Sequence, residues 1–196
     1  MPVVEPQNQC EIPKVDAAQR QLDEAVRLWM EGRDPVAIHT LTMAAFGILF
    51  DLAQHHNLLV ENDPLLVHLS RLGHKRFREF ANFLKHADND PTNSYIEPPI
   101  QEHEQRLGFA TMLYRLLVSD LTPEMGAFHL TMLFTYPELF QVAPDPDPDI
   151  EEGAQYAAEL QRTSWENRRT MARIFFNSIK RGDLQANVKV SRRDDG

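Results

Sequence analysis

The stretch Asp34–Ala53, DPVAIHTLTMAAFGILFDLA, decides the fold. Asp34 followed by Pro35 is a helix-start signal: a side chain that accepts from free backbone N–H groups, then a residue whose fixed φ suits the first turn. Beyond it, Ile38, Leu41, Ala45, Ile48, Leu49 and Leu52 recur at the 3.6-residue period, and Met43, Phe46 and Phe50 form a second apolar stripe. Only the arc of Thr40, Gly47 and Asp51 is wet. A helix apolar around most of its circumference belongs at the centre of a bundle.

The flanks supply the other helices. Asp16 is expected to cap a helix over Ala17–Met30, whose positions Ala18, Leu22, Ala25, Val26 and Trp29 keep the same period, with Gly32 as its stop. His55, His56 and Asn57 end the central helix. Asp63-Pro64 starts a short helix through Leu69 that Gly73 breaks, and another helix covers His74–Lys85. Residues 87–99, with three prolines, read as a long loop. Helices follow at Gln101–Ser119 and Thr122–Phe134, then at Ile150–Lys180 with a break near Thr163-Ser164. No segment alternates with period 2 long enough to make a strand. The expected fold is all-α, an up-and-down helical bundle of five to seven helices. Its parts are an irregular arm (1–15), the bundle (16–142), an acidic Pro-rich linker (143–149, APDPDPD), a C-terminal helical region (150–182) and a frayed tail (183–196).

Composition bounds the class. The chain has 196 residues, 42% hydrophobic and 25% charged, which suits one domain with appendages and excludes disorder throughout. A single Cys10 excludes a disulfide framework and a multi-thiolate zinc site. MPVVEPQNQCEIPK has no basic segment leading into an apolar run, so no signal peptide is expected. The longest membrane candidate, Val36–Ala53, contains His39 and Asp51 and falls short of the uncharged run of about 18 residues that a span needs. The expectation is a soluble cytoplasmic protein with no membrane contact.

The net charge of -9 is unevenly spread. Leu116–Gln161 contains no Lys or Arg, whereas His68–His86 sets Arg71, Lys75, Arg76, Arg78 and Lys85 against Glu79. Arg162–Arg181 likewise sets Arg162, Arg168, Arg169, Arg173, Lys180 and Arg181 against Glu166. Local cationic strips on an acidic chain attract anions, because the local field outweighs the total. The plainer reading is two solvated helix faces.

The segment His74–Pro91, HKRFREFANFLKHADNDP, carries the sharpest chemical signal. At 100° per residue Phe77, Phe80, Ala81 and Leu84 share one face, and Lys75, Arg78, Asn82, Lys85 and His86 the opposite one. Arg78, Asn82 and His86 follow at i, i+4, i+8. Guanidinium binds phosphate in a bidentate fork and stabilises charge developing at phosphorus. An imidazole, which ordinarily titrates near neutral pH, can take the proton of a ribose 2′-OH or return one to the leaving oxygen. No metal is needed for that route. The competing reading is a helix C-terminus decorated with cations that its dipole favours.

With its helical layout over residues 16–135 and the run Asn82-Phe83-Leu84-Lys85-His86, the chain resembles the HEPN (higher eukaryotes and prokaryotes nucleotide-binding) superfamily. The resemblance implies an all-α bundle that dimerises and binds RNA or nucleotides, and in many members acts as a metal-independent ribonuclease. The superfamily motif is an Arg, a polar residue, then a His after four to six intervening residues. Here Arg78 and Glu79 match its start and His86 its end, with seven residues between Arg78 and His86. The resemblance assigns Arg78 and His86 as catalytic; the stripe itself offers Asn82, Lys85 and Lys75 as substrate-binding residues, with His39 as a further substrate-binding candidate on a second wall. It also places the stripe at or beside a symmetric homodimer interface.

His39 lies on the side of Met43, Phe46 and Phe50, as a core histidine or as a second wall facing His86. His55-His56 read as an exposed helix stop. Neither a His-Glu-x-x-His nor a pair of Glu-x-x-His motifs is present, so no metal is expected; Glu102-His103-Glu104 are neighbours that point to different sides of a helix. Without a Walker loop, GxGxxG or GxSxG, no cofactor is expected. Arg168, Arg169 and Arg173 read as an RNA-binding strip or as partners for the acidic linker of another subunit. The alternative to RNA or nucleotide binding is a non-catalytic adaptor, an antitoxin-like bundle that docks a protein through the acidic linker or the basic C-terminal helix.

Overall fold

In the computed structural model, residues 11–59, 74–86, 91–136 and 164–185 are described, with side chains from Phe77 onward in the second of these stretches. They form six helices and no strand: α1 (Lys14–Glu31), α2 (Pro35–His55), α3 (His74–Lys85), α4 (Ile100–Val118), α5 (Pro123–Thr135) and α6 (Trp165–Arg181). The all-α bundle is therefore as expected. The expected helix at 63–69, the linker 143–149, residues 150–163 and the tail from 186 lie outside the described residues, as does Cys10.

Local chemistry explains most boundaries. Asp34 caps α2, its carboxylate accepting from the backbone N–H of Val36 at 2.8 Å and of Ala37 at 3.4 Å. Thr122 does the same for α5 through Met125 N–H at 3.2 Å, and Ser164 for α6 through Asn167 N–H at 3.4 Å. One expectation fails: Asp16 does not cap α1. The helix begins earlier, after Pro13, and Asp16 sits in its first turn, where a negative charge complements the helix dipole. The irregular arm thus ends at Pro13 rather than at residue 15.

Gly32 ends α1 in the left-handed region, φ 71°, with its N–H bonding the Trp29 carbonyl and the Arg33 N–H the Leu28 carbonyl, a Schellman closure. Two residues then separate Gly32 from Pro35, so α2 is forced to turn back against α1. Leu22, Ala25, Val26 and Trp29 are buried on α1, and Ile38, Ala45, Leu49 and Ala53 on α2. By length and composition α2 reaches across a bilayer, but half of that stretch is covered inside the bundle, chiefly by α1 and α4. It is the core helix its pattern announced.

A buried polar knot joins the far side. Glu104 on α4 is fully buried, and Arg168 on α6 grips both of its carboxylate oxygens at 2.9 and 3.2 Å. The Trp29 indole N–H donates to the same carboxylate at 3.2 Å, and the Tyr136 hydroxyl at 3.2 Å. Beside it, Trp29 meets Phe128 of α5 edge to face, centroids 4.9 Å apart. Arg168 is 5% exposed, so it is no part of a solvent-facing basic strip. Nor is Arg169: its guanidinium lies 4.3 Å from the centre of the Trp165 ring and against Gly32. Only Arg173 of that expected trio is exposed, bonded to Thr170 Oγ1 at 3.1 Å.

Two outcomes follow. Gly32→Ala puts a side chain where φ is positive and where its Cβ meets the Arg169 guanidinium, so urea denaturation should show a loss of about 1–2 kcal/mol. Arg168→Met leaves the Glu104 carboxylate buried and uncompensated and should cost about 3–5 kcal/mol, whereas Glu104→Leu/Arg168→Met should be the more stable of the two variants. A double variant no better than the single one contradicts the pairing.

Candidate functional site

The site is built on α3, twelve residues without Gly or Pro and with one apolar face. Phe77, Phe80 and Ala81 on that face are at most 4% exposed. Phe77 meets Phe46 of α2 at a tilt and Phe109 of α4 edge to face, centroids 4.8 and 5.9 Å apart. Phe80 packs edge-on against the His39 ring at 4.8 Å. Arg106 of α4 pins the helix backbone, its Nε–H donating to the Phe77 carbonyl at 3.2 Å while its guanidinium lies 5.5 Å from the Phe77 ring centre. A second pair of bonds, to the Glu102 carbonyl at 2.9 Å and its carboxylate at 3.0 Å, holds Arg106 in place.

The opposite edge faces solvent. Arg78, Asn82, Lys85 and His86 are all exposed, as the helical spacing predicts. Arg78 leans toward α2, its guanidinium 5.7 Å from the Phe50 ring centre. His86 follows the last helical residue, and its N–H closes the final turn on the Asn82 carbonyl at 3.1 Å. Lys75 lies outside the described side chains. Residues 91–99 run without helix, as expected of that part of the loop, and lay Tyr95 over α3 at 5.4 Å from the rings of both Phe80 and Phe83. Burial and the neighbouring Glu79 carboxylate push the Tyr95 hydroxyl above its ordinary value.

His39 does not join this edge. It is 1% exposed and lies beneath Phe80, on the covered side of α3, so it forms no second wall with the exposed His86. The reason is its register: it shares a side of α2 with Met43, Phe46 and Phe50, the side that packs on α3's apolar face. Its Nδ1 meets Nδ1 of His103 at 3.2 Å, and Nε2 of His103 lies 3.1 Å from the Pro98 carbonyl. Burial, then the charges of Arg106 and Lys85 together with the His103 ring, lowers His39 to about 3. Burial and Arg106 lower His103 as well.

Sequence reasoning missed His103, Glu104 and Arg106 as partners. The signal was present in Glu102-His103-Glu104, read only as side chains pointing apart. They do diverge, Glu102 toward Arg106, His103 toward His39 and Glu104 toward Arg168. Burial pushes the Glu104 carboxyl up from its ordinary value, while Arg168, Trp29 and Tyr136 pull it back. No family model, curated protein or solved structure matches this chain.

The buried imidazoles give a pH dependence of defined sign. His129, buried beside the Arg115 guanidinium, is lowered to about 4, and His39 to about 3, from an ordinary 6.5. On acidification the unfolded chain therefore binds protons that the folded one refuses. This stabilisation is whole above the unfolded value and is lost as pH falls from 6.5 toward 4. For His129 alone the loss between pH 7 and 5 is about 2 kcal/mol. Urea titrations of wild type and His129→Gln at both pH values should show the variant losing less by that amount; equal losses contradict a neutral buried His129.

Proposed function

We propose that this chain is an RNA- or nucleotide-binding helical protein, HEPN-like and cytoplasmic, with the exposed edge of α3 as its phosphate-holding face. The observation that supports this reading is the division of one short helix. Phe77, Phe80 and Ala81 anchor it, and Arg78, Asn82, Lys85 and His86 are left facing water together. In this reading Arg78 and Lys85 hold phosphate, Asn82 orients it by its amide, and His86 adds a second polar contact at the helix end.

Binding is better supported than cleavage by one copy. Eight residues of helix set the Cα atoms of Arg78 and His86 about 12 Å apart, and Arg78 leans onto Phe50 rather than along the axis. A single phosphate meets both only with Arg78 extended along the axis toward His86. Metal-independent cleavage, with His86 as general acid or base, belongs in this reading to a homodimer that brings a second edge across the first.

The test uses the full chain with fluorescently labelled mixed RNA in EDTA. Wild type should bind, and Arg78→Ala/Lys85→Ala should lower affinity at least tenfold and flatten the log–log salt slope by about 1.4, the value for two lost phosphate contacts on a single strand. Unchanged affinity overturns the reading. Loss of RNA that persists in EDTA and disappears in His86→Ala adds cleavage to binding.

A further inference from the structure

We propose that the buried His39–His103 pair is a latch held in one tautomeric state, and that His39 is the positioning residue that seats α3 and so presents its exposed edge. The inference stands whatever anion that edge binds.

The tautomers follow from one carbonyl. The Pro98 oxygen can only accept, so the nitrogen 3.1 Å from it, His103 Nε2, carries a proton. A neutral His103 protonated at Nε2 has a bare Nδ1, which can only accept. The nitrogen facing it at 3.2 Å, His39 Nδ1, must therefore donate. A neutral His39 protonated at Nδ1 leaves Nε2 bare, and that atom is buried and has no hydrogen-bond partner. Arg106 from α4 and Lys85 from α3 bring positive charge toward His39, and Glu102 of α4 brings a carboxylate toward His103. The cations beside His39 oppose a charged imidazole there, so the neutral pair is the state the surroundings select.

This pair closes a ring of contacts around α3. His39 on α2 bonds His103 on α4, and His103 fixes the Pro98 carbonyl. The segment ending at Pro98 lays Tyr95 on Phe80, and Phe80 rests back on His39 at 4.8 Å and His103 at 6.0 Å. Pro98-Pro99 stiffens the link between that segment and α4. Removal of the His39 N–H strands the His103 acceptor where it is buried from water and opens the ring at the point where three elements and the connecting segment meet. α3, a short helix, is the member with the most to lose.

The test has two arms on the full chain. Long-range proton–nitrogen spectra of ¹⁵N-histidine protein at pH 7 should show His39 protonated at Nδ1 and bare at Nε2, and His103 protonated at Nε2. In hydrogen exchange, His39→Leu should accelerate the α3 amides at least tenfold while α1 stays protected. His39→Asn, which keeps an N–H donor at the δ position, should hold α3 within threefold of wild type. The reverse tautomer at His39, unchanged α3 exchange in His39→Leu, equal acceleration of α1 and α3, or failure of Asn to rescue each overturn the latch. Should the Leu variant not fold, the spectra and the Asn variant decide the matter alone.

Discussion

Glu104 and Arg168 are the constraint around which the bundle closes. A carboxylate with no exposed surface is tolerable only where donors meet it, because an unpaired buried charge costs more than a small domain has to spare. Arg168 supplies the opposing charge from α6, Trp29 an indole N–H from α1, and Tyr136 a hydroxyl from the end of α5. Each donor fixes the register of its own element on α4. Hydrophobic packing would tolerate a slide of one helix along another, but this knot does not, since any slide breaks hydrogen bonds that water cannot replace.

Asp23 and Thr122 repeat the device near the surface: the Thr122 hydroxyl donates to the Asp23 carboxylate at 2.5 Å and also accepts from Met125 N–H, so the cap of α5 is tied to α1. On the other side of α4, Arg106 ties the Phe77 carbonyl and the His39–His103 pair lies beneath Phe80. Directional bonds thus position α3 while its aromatic face supplies the attraction. The exposed edge of Arg78, Asn82, Lys85 and His86 inherits its orientation from groups that are all on the covered side of the helix.

Much of the bundle was legible in order. The Asp34-Pro35 start, the Gly32 stop and the α3 span from His74 to Lys85 rest on local rules of capping, φ preference and period, and local rules are carried by adjacent residues. Asp16 misled because a carboxylate near a helix start is equally at home as the cap or inside the first turn. The exposed edge of α3 was legible for the same reason as the helix: spacing along one element fixes which side chains share a face. The pairing of groups behind it was not, because His39 lies more than sixty positions from His103 and Arg106 in the chain. Arg168 and Arg169 looked like a basic strip because a run of cations is usually solvated; burial reversed that meaning.

By itself the sequence determined the all-α class, most of the places where the described helices begin and end, a central helix apolar on most sides, and a polar edge on α3, since each depends on periodicity and capping within a few residues. Tertiary structure alone decided which charges are buried and paired, that His39 lies under Phe80 instead of facing His86, and that Arg168 belongs to Glu104. Those outcomes turn on desolvation, which acts on side chains only after distant helices have closed over them.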